Sequence, residues 1–453
     1  MPALLLLWCL MVAVTQQVNC FPDDGWFHTQ YKLIGRWPGE DNYSPIAAPA
    51  VLFAANHVIA ARSGLSLEGE LYTACVMHAL LLFGSLVLIA GALRASSVSA
   101  FITAATTAAT AAYLGSTLVT QSFWSENSMI FLMAATCRLG VALWEPAASA
   151  RTAALIRRAA LLGTVLALAT VTRVIPVILV VPFALLLYWC HGRRKALLGT
   201  VVLVAPIILL ALLAMAANQY RFGRFELSNS TGRHLWQSLY PIADVMLRDD
   251  PAYPALSAAY PDLTTRAWWD VSPESLPAYA HLSREAFLRQ LSVDAIRRHP
   301  GPWLRHGAAK LTTLILQPFP RIGLWYRVTS DTNLLGRSEL LPPLLGAAEA
   351  PVRRLLDGLH HGFGVLHPAI VIAPLLLLIT GLAAAGWRSS IGGMPRGSST
   401  LRCLTFFSFA FVGCIYTSLQ VEVLLARYTL PYAPFLAMMA GAAAQRACGR
   451  EWR

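Results

Sequence analysis

The sequence is short of charge. Only 13% of its 453 residues are Asp, Glu, Lys or Arg, 56% are hydrophobic, and the mean hydropathy is +0.55. A soluble domain carries about 25% charged residues. One water-exposed globule of this composition is therefore excluded, and an all-helical polytopic membrane protein is the expected class. Acids are the scarcer sign, 23 against 35 Lys and Arg, for a formal net charge of +12. That excess does not point to nucleic acid, because the basic residues gather where hydrophobic runs end, as membrane orientation requires. Paired cysteines are lacking too. Of 8 Cys, Cys75, Cys137, Cys190, Cys403 and Cys414 fall in or at the ends of apolar runs, and only Cys20 sits clearly in the first polar loop. This is neither a disulfide framework nor a metal-ligand spacing. Also missing are a phosphate-cradling Gly loop, a His-Glu-x-x-His helix, a Ser-His-Asp signature and internal repeats. The apolar stretch Pro2 to Val18 has no Lys or Arg before it and no small-x-small cleavage site after it. It reads as a retained transmembrane helix rather than a secretory signal.

What is present is a series of long apolar runs. They occur at roughly 2–19, 72–93, 97–119, 127–144, 153–172, 174–190, 196–217, 367–387, 401–419 and 428–445. Each is near the span length of about 17 to 25 residues, so ten spans are expected. Basic connections, such as Arg193-Arg194-Lys195, alternate with ones poor in Lys and Arg, such as Gln121 to Asn127. The positive-inside rule then places both termini in the cytoplasm of an inner (plasma) membrane protein. Two long segments, about 19–71 and 218–366, fall outside. The expected organisation is an N-terminal transmembrane module (1–217) with the first outer loop, an outer region (218–366) with amphipathic helices, and a C-terminal transmembrane module (367–453). Glu285 to His299 has helical apolar spacing, which suits a membrane surface. Leu304 to Pro318 carries Arg305, His306 and Lys310 at its start. It reads as interfacial or re-entrant, because a crossing there would turn the later basic loops outward.

Five places can carry chemistry. Asp23 and Asp24 follow the first apolar run directly, in Phe21-Pro-Asp-Asp-Gly-Trp-Phe-His-Thr-Gln-Tyr31. They are either a solvated turn or a carboxylate pair in which one pKa is raised toward general-base work. Glu126 opens a span, as a helix cap or as a second carboxylate in the same cavity. Arg173 lies between two apolar runs with almost no loop, and either snorkels or faces a cavity or partner. Arg427-Tyr428 precedes the last run, as an interfacial anchor or as a bidentate phosphate grip. Lys310 is a headgroup contact or a phosphate contact.

Taken in order, these pieces resemble the GT-C superfamily of membrane glycosyltransferases, which includes the protein O-mannosyltransferases and the lipid A aminoarabinose transferases. The resemblance rests on Asp23-Asp24 with Tyr31, on Tyr43-Ser-Pro-Ile-Ala-Ala-Pro49, on Glu126, and on Thr172-Arg173. It continues through Ser228-Asn-Ser-Thr-Gly-Arg-His-Leu-Trp236, His299-Pro300 with Lys310, and Arg427-Tyr428 with Pro431 and Pro434. The Lys-Pro-Pro of the aminoarabinose branch is absent after Asp24.

The resemblance implies a GT-C-like bundle of about ten transmembrane helices with periplasmic juxtamembrane helices. It implies transfer of a sugar from a polyprenyl-phosphate donor to a periplasmic acceptor, which is a lipid, glycan or protein. Asp23 is then the base, and Asp24 and Glu126 orient the acceptor or tune that base. Arg173, Lys310, Arg427 and Tyr428 bind the donor phosphate, and Tyr31 and His28 contact substrate. The resemblance names no cofactor, and leaves a divalent metal open. The rival classes are a surface-polysaccharide polymerase or ligase and a lipid-linked sugar transporter or flippase. A transporter needs charges deep in the spans and symmetry between halves, and neither is found in the sequence.

Overall fold

The computed structural model describes residues 1–15, 47–65, 67–117, 119–121, 125–144, 152–228, 231–265, 271–276, 279–316, 343–384, 399–421 and 430–448. Among these there are helices and turns but no strand. The bundle is built from α1 (Pro2–Thr15), α2 (Ala47–Arg62), α3 (Leu67–Ala95), α4 (Ala100–Ser116), α5 (Glu126–Ala142), α6 (Thr152–Thr170), α7 (Val180–His191) and α8 (Arg193–Phe222). Near the C-terminus it is joined by α14 (Pro343–Ala384), α15 (Ser399–Val421) and α16 (Ala433–Ala447). A second group of helices comprises α9 (Thr231–Leu239), α10 (Ala243–Met246), α11 (Tyr253–Ala259), α12 (Arg284–Arg298) and α13 (Pro300–Leu316).

Each of the ten apolar runs overlaps a helix. Among the described residues, four stretches are long and apolar enough to cross a membrane: 72–95, 152–170, 193–220 and 350–379. The helices at Pro2–Thr15, Val51–Arg62, Ile175–His191 and Cys403–Thr417 are apolar but shorter. The chain thus has the make-up of a membrane protein, with four helices meeting both criteria among the described residues.

Local sequence explains the boundaries. The Ser99 hydroxyl caps α4 by accepting from the Ile102 N–H. Gly192, with φ 72 and ψ 164, makes the one-residue reversal between α7 and α8, a backbone region open in practice to glycine alone. Pro300 opens α13 immediately after α12 ends, where its missing N–H costs nothing. Small residues set the helix crossings. A Cβ on Gly163 of α6 would lie 2.3 Å from the Leu203 carbonyl oxygen on α8. Such backbone-to-backbone approach is how helices pack when lipid removes the hydrophobic drive between them.

One large apolar core runs through the bundle, around residues such as Leu86, Met133, Leu162, Phe407 and Phe435. A separate core holds the second group together, with Trp236 of α9 against Phe287, Leu288 and Leu291 of α12. The apolar face of α12 is therefore occupied by protein and is not available to lipid. Asp250, buried after α10, receives Arg298 at 2.6 Å and ties the end of α12 down. This lobe meets the bundle through α9 and α13 against α15, where the Tyr416 hydroxyl donates to the Leu304 carbonyl at 3.4 Å.

Candidate functional site

Glu126 is the first residue of α5 and is fully buried. A carboxylate at a helix N-terminus is favoured by the exposed N–H groups there. Its main partner comes from the next helix. α6 ends at Thr170, and the chain turns before a 3-10 segment, Ile175–Leu179, whose second residue is Pro176. That proline cannot extend the α-helical ladder. Arg173 sits in the turn, and its Nη2 donates to Glu126 Oε1 at 2.5 Å. Its Nε donates to the Ser125 hydroxyl at 2.8 Å. Ser125 precedes the helix but makes no side-chain cap bond; its oxygen serves the guanidinium instead. Two positions flagged separately by the sequence are thus one buried ion pair, with side-chain exposures of 13% and 0%. Glu126 Oε2 is buried and has no hydrogen-bond partner among the described residues.

The same end of the bundle carries further polar groups. Asn127 donates to the Val119 carbonyl at 2.8 Å, and His78 Nδ1 lies 3.3 Å from the Thr120 carbonyl. The Thr120 hydroxyl is buried without a partner among the described residues. Phe53 of α2 meets the His78 ring edge-on at 6.5 Å. Next to Phe53 on the same face of α2, Asn56 donates to the Glu70 carbonyl at 2.8 Å, and His57 Nδ1 lies 2.8 Å from Glu70 Oε1. Sequence reasoning missed the His57–Glu70 pair. Neither residue stands in a motif, and the corner between α2 and α3 that joins them is a tertiary feature.

Lys310 is elsewhere. It lies on α13, buried, and its Nζ donates to the Ser238 carbonyl at 2.9 Å and reaches the Ser238 hydroxyl at 3.4 Å. Ser238 is in the last turn of α9, so the ammonium answers a carbonyl at a helix C-terminus. Burial lowers the Lys310 pKa to about 8. One turn earlier, burial and then the Lys310 charge lower His306 to about 4. No hydrogen bond or ion pair among the described residues joins Lys310 to the Glu126–Arg173 pair. Asp23, Asp24, His28, Tyr31, Arg427 and Tyr428 lie outside the described residues. Leu430, three positions after Arg427, is already buried in the main core. No group of three or more His, Cys, Asp or Glu side chains is placed to hold a metal among the described residues.

In chemical terms the Glu126 end offers a carboxylate whose negative charge is held by a guanidinium and whose second oxygen can accept from a hydroxyl. No protein-family model matches this chain. No curated protein and no solved structure matches it either.

Proposed function

We propose that the protein is a membrane glycosyltransferase that takes a sugar from a polyprenyl-phosphate donor and places it on an acceptor outside the inner membrane. The observation that supports this reading is the Glu126–Arg173 pair, a buried carboxylate at one end of an apolar helix bundle whose second oxygen has no hydrogen-bond partner among the described residues. In the proposal ten spans carry the chain, and that end of the bundle faces the periplasm together with Asp23 and Asp24. The acceptor hydroxyl loses its proton to Asp23, as a carboxylate opposite the leaving group does in inverting sugar chemistry. Asp24, Glu126, Tyr31 and His28 orient the sugar and the acceptor.

The leaving polyprenyl phosphate needs fixed positive charge in a poorly hydrated site. Arg427 with Tyr428 is assigned that work, with Lys310 as a second cation. Arg173 is already neutralised by Glu126, so its part is to hold that carboxylate in place. The Ala- and Arg-rich composition suits a bacterium, which makes the carrier undecaprenyl phosphate.

The test compares lipid and glycan profiles of cells with and without the protein, and then of cells carrying Asp23→Asn. Asn keeps the shape but cannot take a proton at neutral pH, so transfer should fall by roughly 10² to 10⁴ with donor binding retained. Wild-type transfer by Asp23→Asn, Asp24→Asn and the double variant, at matched expression, would return the acidic pair to a solvated turn. Movement of intact lipid-linked sugar across the membrane, with no new glycosidic bond, would favour a flippase.

A further inference from the structure

The end of the bundle opposite Glu126 is built around the corner between α7 and α8. The last carbonyls of α5 are answered there by basic side chains. Arg158 of α6 donates from Nη1 to the Ala142 carbonyl at 2.9 Å, and His191, the last residue of α7, donates from Nε2 to the Leu143 carbonyl at 2.8 Å. These two bonds pin the start of α6 and the Gly192 corner to the end of α5. The surface beside them is strongly basic. Arg157 adjoins Arg158, and Arg193, Arg194 and Lys195 follow Gly192. α6 and α8 both start at this end and cross at Gly163 and Leu203, and Arg157 and Lys195 precede that crossing by similar lengths of helix. Arg157, Arg193 and Arg194 are exposed and Lys195 is half-buried. None of the four side chains has a hydrogen bond or ion pair among the described residues. The chain also has no Asp or Glu from 146 to 225 to neutralise them.

The basic surface runs directly into an apolar one. Tyr188 and Trp189, in the last turn of α7, are exposed, and so are Leu197, Leu198 and Val201 on α8. Tyr and Trp favour the headgroup level of a bilayer, so the guanidinium groups next to them stand at that level while the aliphatic side chains stand at the depth of the acyl chains. A free anion would match the first surface alone, and an acidic protein would leave the second uncovered. An amphiphile with a phosphate at one end matches both. We propose that the α6–α7–α8 corner binds an acidic phospholipid, its phosphate held by Arg157, Arg193 and Arg194 and its acyl chains lying along α7 and α8. Guanidinium groups suit this work because their planar fork meets phosphate oxygens two at a time. Basic pockets between membrane helices commonly take acidic headgroups in this way. Lipid binding at this corner does not depend on sugar transfer at the other end.

The experiment uses the full chain in a neutral detergent. The thermal unfolding midpoint is followed as phosphatidylglycerol, phosphatidylcholine or inorganic phosphate is added, because a ligand of the folded chain raises that midpoint with its occupancy. Phosphatidylglycerol should raise it saturably, and the other two should not. Arg193→Gln combined with Arg194→Gln should weaken the apparent affinity by roughly tenfold or more, the ordinary worth of charge-assisted hydrogen bonds. Trp189→Ala keeps every charge and should still weaken it by roughly threefold; it decides the matter if the double variant fails to insert. Arg284→Gln combined with Arg297→Gln removes the same charge from exposed positions on α12 and should leave the affinity unchanged. An equal rise with phosphatidylcholine overturns the proposal, as does unchanged affinity in either corner variant. An equal rise with inorganic phosphate would mean a free-anion site and no lipid site. An equal loss in the α12 variant would mean attraction by net charge alone, and would overturn the proposal too.

Discussion

At the scale of single residues, the buried Glu126–Arg173 pair dominates. Breaking a buried pair by removing one partner leaves an uncompensated charge and costs about 3–5 kcal/mol. Arg173→Ala should therefore lower the unfolding midpoint of the detergent-solubilised protein sharply. Removing both members should cost less than the sum of the single variants, because they share one interaction; a double-variant cycle with additive losses would contradict the pairing. Lys310 gives a second residue-scale prediction, and its sign is fixed by burial. Its folded pKa is depressed to about 8 from 10.5, so between those values the unfolded chain binds more protons than the folded one. Stability then rises with pH across that window. Lys310→Met should flatten that rise in a pH series of thermal melts. If the slope between pH 8 and 10.5 is the same in the variant, Lys310 is not buried as described.

At the scale of elements, the α9–α12 contact is the most exacting. A Cβ on Gly232 would lie 2.2 Å from the Glu285 carbonyl oxygen and 2.7 Å from the Arg289 nitrogen, both backbone atoms that cannot swing aside. Glu285 also reaches across, its Oε2 accepting from the Arg233 N–H at 3.0 Å in the first turn of α9. The conspicuous stretch Ser228 to Trp236 thus has a packing explanation: Gly232 lets the helices approach, and Trp236 fills the lobe core. Gly232→Ala should destabilise the lobe by about 1–3 kcal/mol, the usual cost of overpacking. Limited proteolysis between 231 and 298 should read this as faster cleavage, and unchanged cleavage would mean that α9 and α12 are less closely apposed.

At the scale of the whole molecule, the proposed topology keeps α13 on one side of the membrane. Reporter fusions or cysteine labelling should place residues 290 and 350 on the same outer side; finding residue 350 in the cytoplasm would overturn the ten-span arrangement. The sequence by itself determined that this is a helical, membrane-type chain, because span-length apolar runs are a one-dimensional signal. It also singled out Glu126, Arg173 and Lys310, since a charge beside an apolar run is visible without any fold. Only the tertiary structure decided their partners. Arg173 meets Glu126 across 47 residues because α5 and α6 pack together. Lys310 meets a backbone carbonyl 72 residues away, a partner with no side-chain signature. The His57–Glu70 dyad arises where α2 folds back on α3. Apolar periodicity is local and survives in the sequence, whereas pairing depends on which helix ends the packed bundle brings within hydrogen-bond reach.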